Sequence, residues 1–261
     1  IYYANAIEAI NAGQSVAEIK TIISAITATN HQVLSYSEVW TALTQTDEDP
    51  TNSDNVILIY KGNSIAKFSN GSGSQSSNPD NWNREHVWAK SHGFPSSSAS
   101  AYTDIHHLRP ADISVNSARG NLDFDFSDSE LAEAPENKVD SDSFEPRAQV
   151  KGDIARMTFY MDVRYQGDDS QTPNLNLVNT LTSVGEAKLG KLCALLAWHE
   201  ADPVDEYERN RNNKIYEFQG NRNPFIDHPE WVEKIFDLDC SSETDPVDPV
   251  DPVDPVDPVD P

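Results

Sequence analysis

Residues 245–261 read DPVDPVDPVDPVDPVDP, a strict three-residue repeat. Proline at every third position favours polyproline II, where a period of three gives each residue type its own stripe. At about 3.1 Å per residue the run would span roughly 50 Å. It has nothing to bury in a core, and its aspartates repel one another. It is therefore a semi-rigid spacer, and folding must happen upstream. The chain divides into a body of residues 1–240 and an extended, disordered linker of residues 241–261. Spacers usually connect two things, so a further domain or a surface anchor is expected past the linker.

The body is long enough for one domain or two small ones. The chain is 37% hydrophobic, and no run approaches the roughly 18 apolar residues of a membrane helix. Lys and Arg number 19 against 43 Asp and Glu, a formal charge of -24. That excludes a generally basic nucleic-acid binder but leaves room for a local cationic patch. Seven acids and no base follow Ser241, so residues 1–240 keep a charge of -17. So acidic a surface repels nonspecific polyanions and suits a salt-rich medium. A soluble monomer is expected. Cys193 and Cys240, the two cysteines, could form one disulfide, and no CxxC spacing suggests zinc.

The body opens with helical signals. Ser15 and Glu18 form a capping-box pattern ahead of Ile19, Ile22, Ile23 and Ile26 at helical spacing. A second helix is predicted near Ser37, burying Val39, Trp40 and Leu43. Strands are predicted at 55–60 and 65–68, followed by a loop over 69–81. Val150, Ile154, Met157 and Met161 predict an amphipathic helix over 147–164. Further helices are predicted over 186–198, over 205–218 with a stop at Gly220, and from Pro229 onward. The expected class is α+β, a predominantly helical body around a small sheet.

The middle third carries the chemistry. Residues 83–94 read NREHVWAKSHGF and residues 102–124 read YTDIHHLRPADISVNSARGNLDF. His86, His92, His106 and His107, four of the seven histidines, fall within 22 positions. A neutral imidazole can take a proton from water. The oxygens of Glu85 and Asn116 suit a hard cation, Mg²⁺ or Ca²⁺, better than zinc. Base plus hard metal is the minimum for hydrolysing a phosphodiester. Arg119 could hold a nonbridging phosphate oxygen through its planar fork. Glu85 and His86 point to opposite faces in mid-strand, so they can share a site only at a strand end, bulge or turn. Asn116 must then come from an element alongside, a short helix near 111–118.

These blocks resemble the bacterial endonuclease I family. NREHVW, DIHHLRPAD and VNSARGN look like its signature motifs. ERNRNNKIYEFQGNRNPFIDHPEWVEKIF is similar to its C-terminal block. The resemblance runs from about residue 1 to 237 and leaves out the aspartate-proline tail. It implies a ββα-metal (His-Me finger) motif with His86 as general base and with Glu85 and Asn116 holding Mg²⁺, for which Ca²⁺ or Mn²⁺ could substitute. It further implies a secreted or periplasmic endonuclease that cleaves DNA, and often RNA, without sequence preference. The low cysteine count departs from the family's disulfide-rich branch.

The remaining polar and aromatic residues have plainer readings. One of His106 and His107 should be structural, and Asp104 with His106 makes only a weak zinc pair. His92 reads as a surface residue, and Trp82 and Trp88 as core. Arg209, Arg211 and Arg222 read chiefly as partners of carboxylates. A cleft with Arg84, Lys90, Arg109 and Arg119 would supply the cationic patch. The rival classes are a non-catalytic extracellular Ca²⁺-binding module and a zinc phosphoesterase.

Overall fold

Residues 2–241 are described by a computed structural model. The DPV repeat, predicted as an extended linker, lies outside the described residues. Within them, ten α-helical segments surround four small sheets, a mixed α/β architecture.

The helix starts follow from their caps. Ser15 and Ser35 each accept from the backbone of a glutamate three residues on, and that glutamate bonds back to the serine's own backbone. Helices Val16–Ala28 and Tyr36–Thr46 begin there. Val39 and Leu43 are buried, whereas Trp40 stays half-buried, edge-on to Trp82 at 5.0 Å. Asp205 caps Glu206–Gln219 in the same manner, and Gly220 closes that helix at φ +74°.

The helix Lys151–Arg164 differs from its predicted amphipathic form. Thirteen of its 14 residues are buried. Its polar side chains are inside because ionic partners meet them there. Arg156 forks onto Glu208 at 2.7 and 2.6 Å, and Asp162 pairs with Lys20. Gly152 is required at its start, since a Cβ there would lie 2.0 Å from the Asp202 carbonyl oxygen.

Two other boundaries shift. The first predicted strand lies instead at Asn52–Ile57, and its partner is Ser64–Ala66. The apolar Leu58–Tyr60 leaves the ladder for the core, with Leu58 N bonded to Asn63 O and Ile59 N to Pro110 O. The helix predicted over 186–198 begins only at Leu192. Lys188–Leu189 instead pairs in parallel with Asn176–Leu177, and Gly190 bonds across to Asp123 and Phe124, so the backbone stays extended. Cys193 and Cys240 are joined, S–S 2.01 Å, tying the Leu192–Ala201 helix to the C-terminal segment.

An antiparallel hairpin carries the middle third. Trp82–His86 pairs with Leu108–Asp112, Glu85 opposite Arg109 and His86 opposite Leu108. The hairpin is clamped between two hydrophobic clusters. Trp82 and Leu108 belong to the smaller, with Val39 and Leu43; Val87, Trp88 and Ala111 belong to the larger. Both tryptophans are therefore core residues, as predicted. The second strand runs straight into the helix Ile113–Arg119, whose N-cap is Asp112, accepting from Ser114 N and Val115 N.

Candidate active site

Glu85 and His86 share a site because His86 is the last residue of its strand. Alternation turns Asn83 and Glu85 toward the Ile113–Arg119 helix, where Asn116 Nδ2 donates to Asn83 Oδ1 at 2.7 Å. Arg84 and His86 turn the other way, toward Tyr36 and Tyr102. All four strand residues border one cleft of about 430 Å³, together with Lys90 and Asn116.

Each candidate side chain has one end fixed. Glu85 is 2% exposed, and its Oε1 accepts from Tyr60 OH at 2.6 Å with Arg119 Nη1 at 3.3 Å. Burial pushes its carboxyl above the ordinary range, while Arg119 and Tyr60 pull it back. His86 Nε2 lies 2.9 Å from the Tyr102 carbonyl oxygen. A carbonyl only accepts, so Nε2 carries the proton and Nδ1 is the basic nitrogen. Nδ1 has no partner among the described residues. Burial, then the neighbouring His107, holds the imidazole well below its usual range and therefore neutral. Asn116 spends its amide nitrogen on Asn83, which leaves its oxygen uncommitted.

One carboxylate oxygen and one amide oxygen make a hard, sparse donor set. Among the described residues no group of three or more His, Cys, Asp and Glu gathers as zinc would require. The set fits Mg²⁺, which keeps several of its waters. The weak zinc pair dissolves: Asp104 is saturated by His106 N, Gln219 and the hydroxyls of Tyr160 and Tyr165.

The predicted cations are placed differently. Arg119, expected to hold a substrate phosphate, is fully buried and donates to the carbonyls of His86 and Val87 at 3.0 and 2.7 Å. Arg109 is likewise buried, against Asp47 and Asp153. Arg84 and Lys90 are the basic side chains that border the cleft. The Arg84 guanidinium lies between aromatic rings, 3.3 Å from the Tyr36 centroid and 4.1 Å from that of Trp40.

Comparison with known proteins decides the family. Residues 15–230 match the model of the Endonuclease I family. The extracellular ribonuclease of Bacillus subtilis (strain 168) is 59% identical over 208 residues, 79% of this chain and 70% of that protein. The extracellular ribonuclease of Bacillus amyloliquefaciens is 55% identical over 226 residues, 86% and 75% of the two chains. An extracellular deoxyribonuclease of Aeromonas hydrophila is 32% identical over 135 residues, 48% of each chain.

The chain belongs to the endonuclease I family.

As an endonuclease I family member it is a nuclease, an enzyme that hydrolyses phosphodiester bonds, and the reading as a non-catalytic Ca²⁺-binding module falls. Several residues of this endonuclease differ from expectation. His106 and His107 are both buried, because they precede the strand in a turn rather than alternate along it. Their rings bond Asn221 Oδ1 at 3.2 Å and Ala101 O at 2.7 Å. His92, expected at the surface, is buried between the carbonyls of Lys188 and Asn121. Arg211 and Arg222 pair with Asp47 and Asp227 as expected, whereas Arg209 is exposed. Sequence reasoning missed Tyr60 and Asn83, the partners of Glu85 and Asn116. Tyr60 closes an apolar run that reads as ordinary strand, so no local signal marks it.

Proposed function

We propose that this chain is a secreted endonuclease that cuts RNA and DNA without sequence preference, with one Mg²⁺ and His86 as its general base. One juxtaposition carries the reading. The open nitrogen of His86 and the uncommitted oxygens of Glu85 and Asn116 belong to side chains that border a single cleft. A hairpin running directly into a helix supports the ββα-metal (His-Me finger) assignment. The relatives are named extracellular or periplasmic nucleases, two as ribonucleases and others as deoxyribonucleases. Those names support secretion and both substrates. No helix of the described residues is long and apolar enough to cross a membrane.

Glu85 and Asn116 would hold the ion, with Mn²⁺ or Ca²⁺ as substitutes. When bound, it neutralises charge on the scissile phosphate and the leaving oxygen. His86 keeps its Nε2 proton on the Tyr102 carbonyl and accepts the proton of the attacking water at Nδ1. The new phosphorus–oxygen bond forms as the bond to the leaving sugar oxygen breaks. Arg84 and Lys90 anchor phosphate oxygens at the cleft.

The test is cleavage of plasmid and of RNA with Mg²⁺, with EDTA, and by His86→Ala. EDTA should abolish both activities. His86→Ala should lose on the order of 10²–10⁴-fold in rate while still binding metal. Full turnover by His86→Ala would place the base elsewhere.

A further inference from the structure

We infer that Tyr60 and Asn83 are the positioning residues of the metal site, each committing one end of a ligand so that a single oxygen is left for the cation. The inference rests on the reading of Glu85 and Asn116 as the ligands. A free carboxylate offers two equivalent oxygens, and a free amide can turn either its oxygen or its nitrogen toward a cation. In this fold both ambiguities are removed. The Tyr60 hydroxyl donates to Oε1 of Glu85 at 2.6 Å and Arg119 Nη1 lies 3.3 Å from the same oxygen, which favours the other carboxylate oxygen for a cation. Asn83 Oδ1 accepts from Asn116 Nδ2 at 2.7 Å, so Asn116 turns its oxygen the other way.

Both positioning groups are themselves held. Tyr60 is fully buried, its ring edge-on to Phe144 at 4.9 Å and its carbonyl fixed by Asn137 Nδ2 at 2.9 Å. The phenol therefore cannot withdraw from Glu85 without disturbing the core. Asn83 sits in the hairpin ladder opposite Ala111, on the strand face that also carries Glu85. One strand thus supplies a ligand and the group that aims the other ligand. Outer partners of this kind typically change metal affinity 10–100-fold when removed, by roughly the range known for such sites.

Titration calorimetry with Mn²⁺ on the full chain tests this, comparing wild type, Glu85→Ala, Tyr60→Phe and Asn83→Ala, with thermal melts of each. Wild type should show one site and Glu85→Ala should lose it. Tyr60→Phe and Asn83→Ala should each raise Kd roughly 10–100-fold, with kcat recovering as Mn²⁺ is raised. A merely structural role would instead lower Tm or kcat at every Mn²⁺ concentration and leave Kd unmoved. Unchanged Kd in both variants, with the site lost in Glu85→Ala, would overturn the inference and leave the ligands standing. Wild-type affinity in Glu85→Ala would remove the ligand reading, and this inference with it. Asn83 borders the cleft rather than filling the core, so Asn83→Ala decides the point alone if Tyr60→Phe does not fold.

Discussion

Nη1 of Arg119 lies 3.3 Å from Oε1 of Glu85, inside a protein interior that leaves the arginine no exposed surface. The same guanidinium holds the carbonyls of His86 and Val87, so it braces the strand end from below. Arg119→Ala leaves a buried carboxylate without its counter-charge and two carbonyls without donors. It should cost about 3–5 kcal/mol of stability. Arg119→Lys should also destabilise, since an ammonium cannot reproduce the fork. Urea denaturation checks this, and a wild-type midpoint in both variants would contradict the strut role.

Arg84 is the arginine that borders the cleft, where it would meet substrate under the proposed function. Arg84→Ala should raise KM for RNA and lower the salt slope of binding by about one, as losing one phosphate contact does. Wild-type activity should first rise with salt, as the repulsion of the acidic body is screened, and then fall as counterions compete. Salt titrations of KM for both proteins measure this. An unchanged slope in Arg84→Ala would show that the contact is absent.

Buried histidines set an acid limit on stability. Burial lowers His106 and His107 to about 4 from a usual value of 6.5, and nearby Asp104 opposes the shift. In the unfolded chain they protonate near 6.5, so it binds more protons than the native state between the two values. The stability from each neutral ring is thus whole above pH 6.5 and is lost as pH falls toward 4, on the order of 3 kcal/mol per ring. Unfolding free energies of wild type and His107→Gln, measured from pH 7.5 to 4, should converge as pH falls. A pH-independent difference would contradict the assignment.

The sequence made some features legible and hid others for physical reasons. Ser15, Asp205 and Gly220 signalled their helix ends because capping is a local interaction. Glu85, His86 and Asn116 stand out in the sequence as an imidazole among oxygen donors, and the fold sets all three on one cleft. The role of Arg119 was not legible, since whether an arginine meets a phosphate or a carbonyl depends on which wall closes over it. The same holds for His92, buried by segments 29 and 96 residues away in sequence. Lys151–Arg164 misled for a related reason: its polar residues look solvent-facing until Lys20 and Glu208 arrive from distant helices.

Under the proposed function, Glu85 and Asn116 share one divalent cation beside His86. Crystals soaked in Mn²⁺ and measured at a wavelength where manganese scatters anomalously test it most directly. A single strong peak should lie in contact with a carboxylate oxygen of Glu85 and with Oδ1 of Asn116. A peak held by other residues, or none in this cleft, would contradict it.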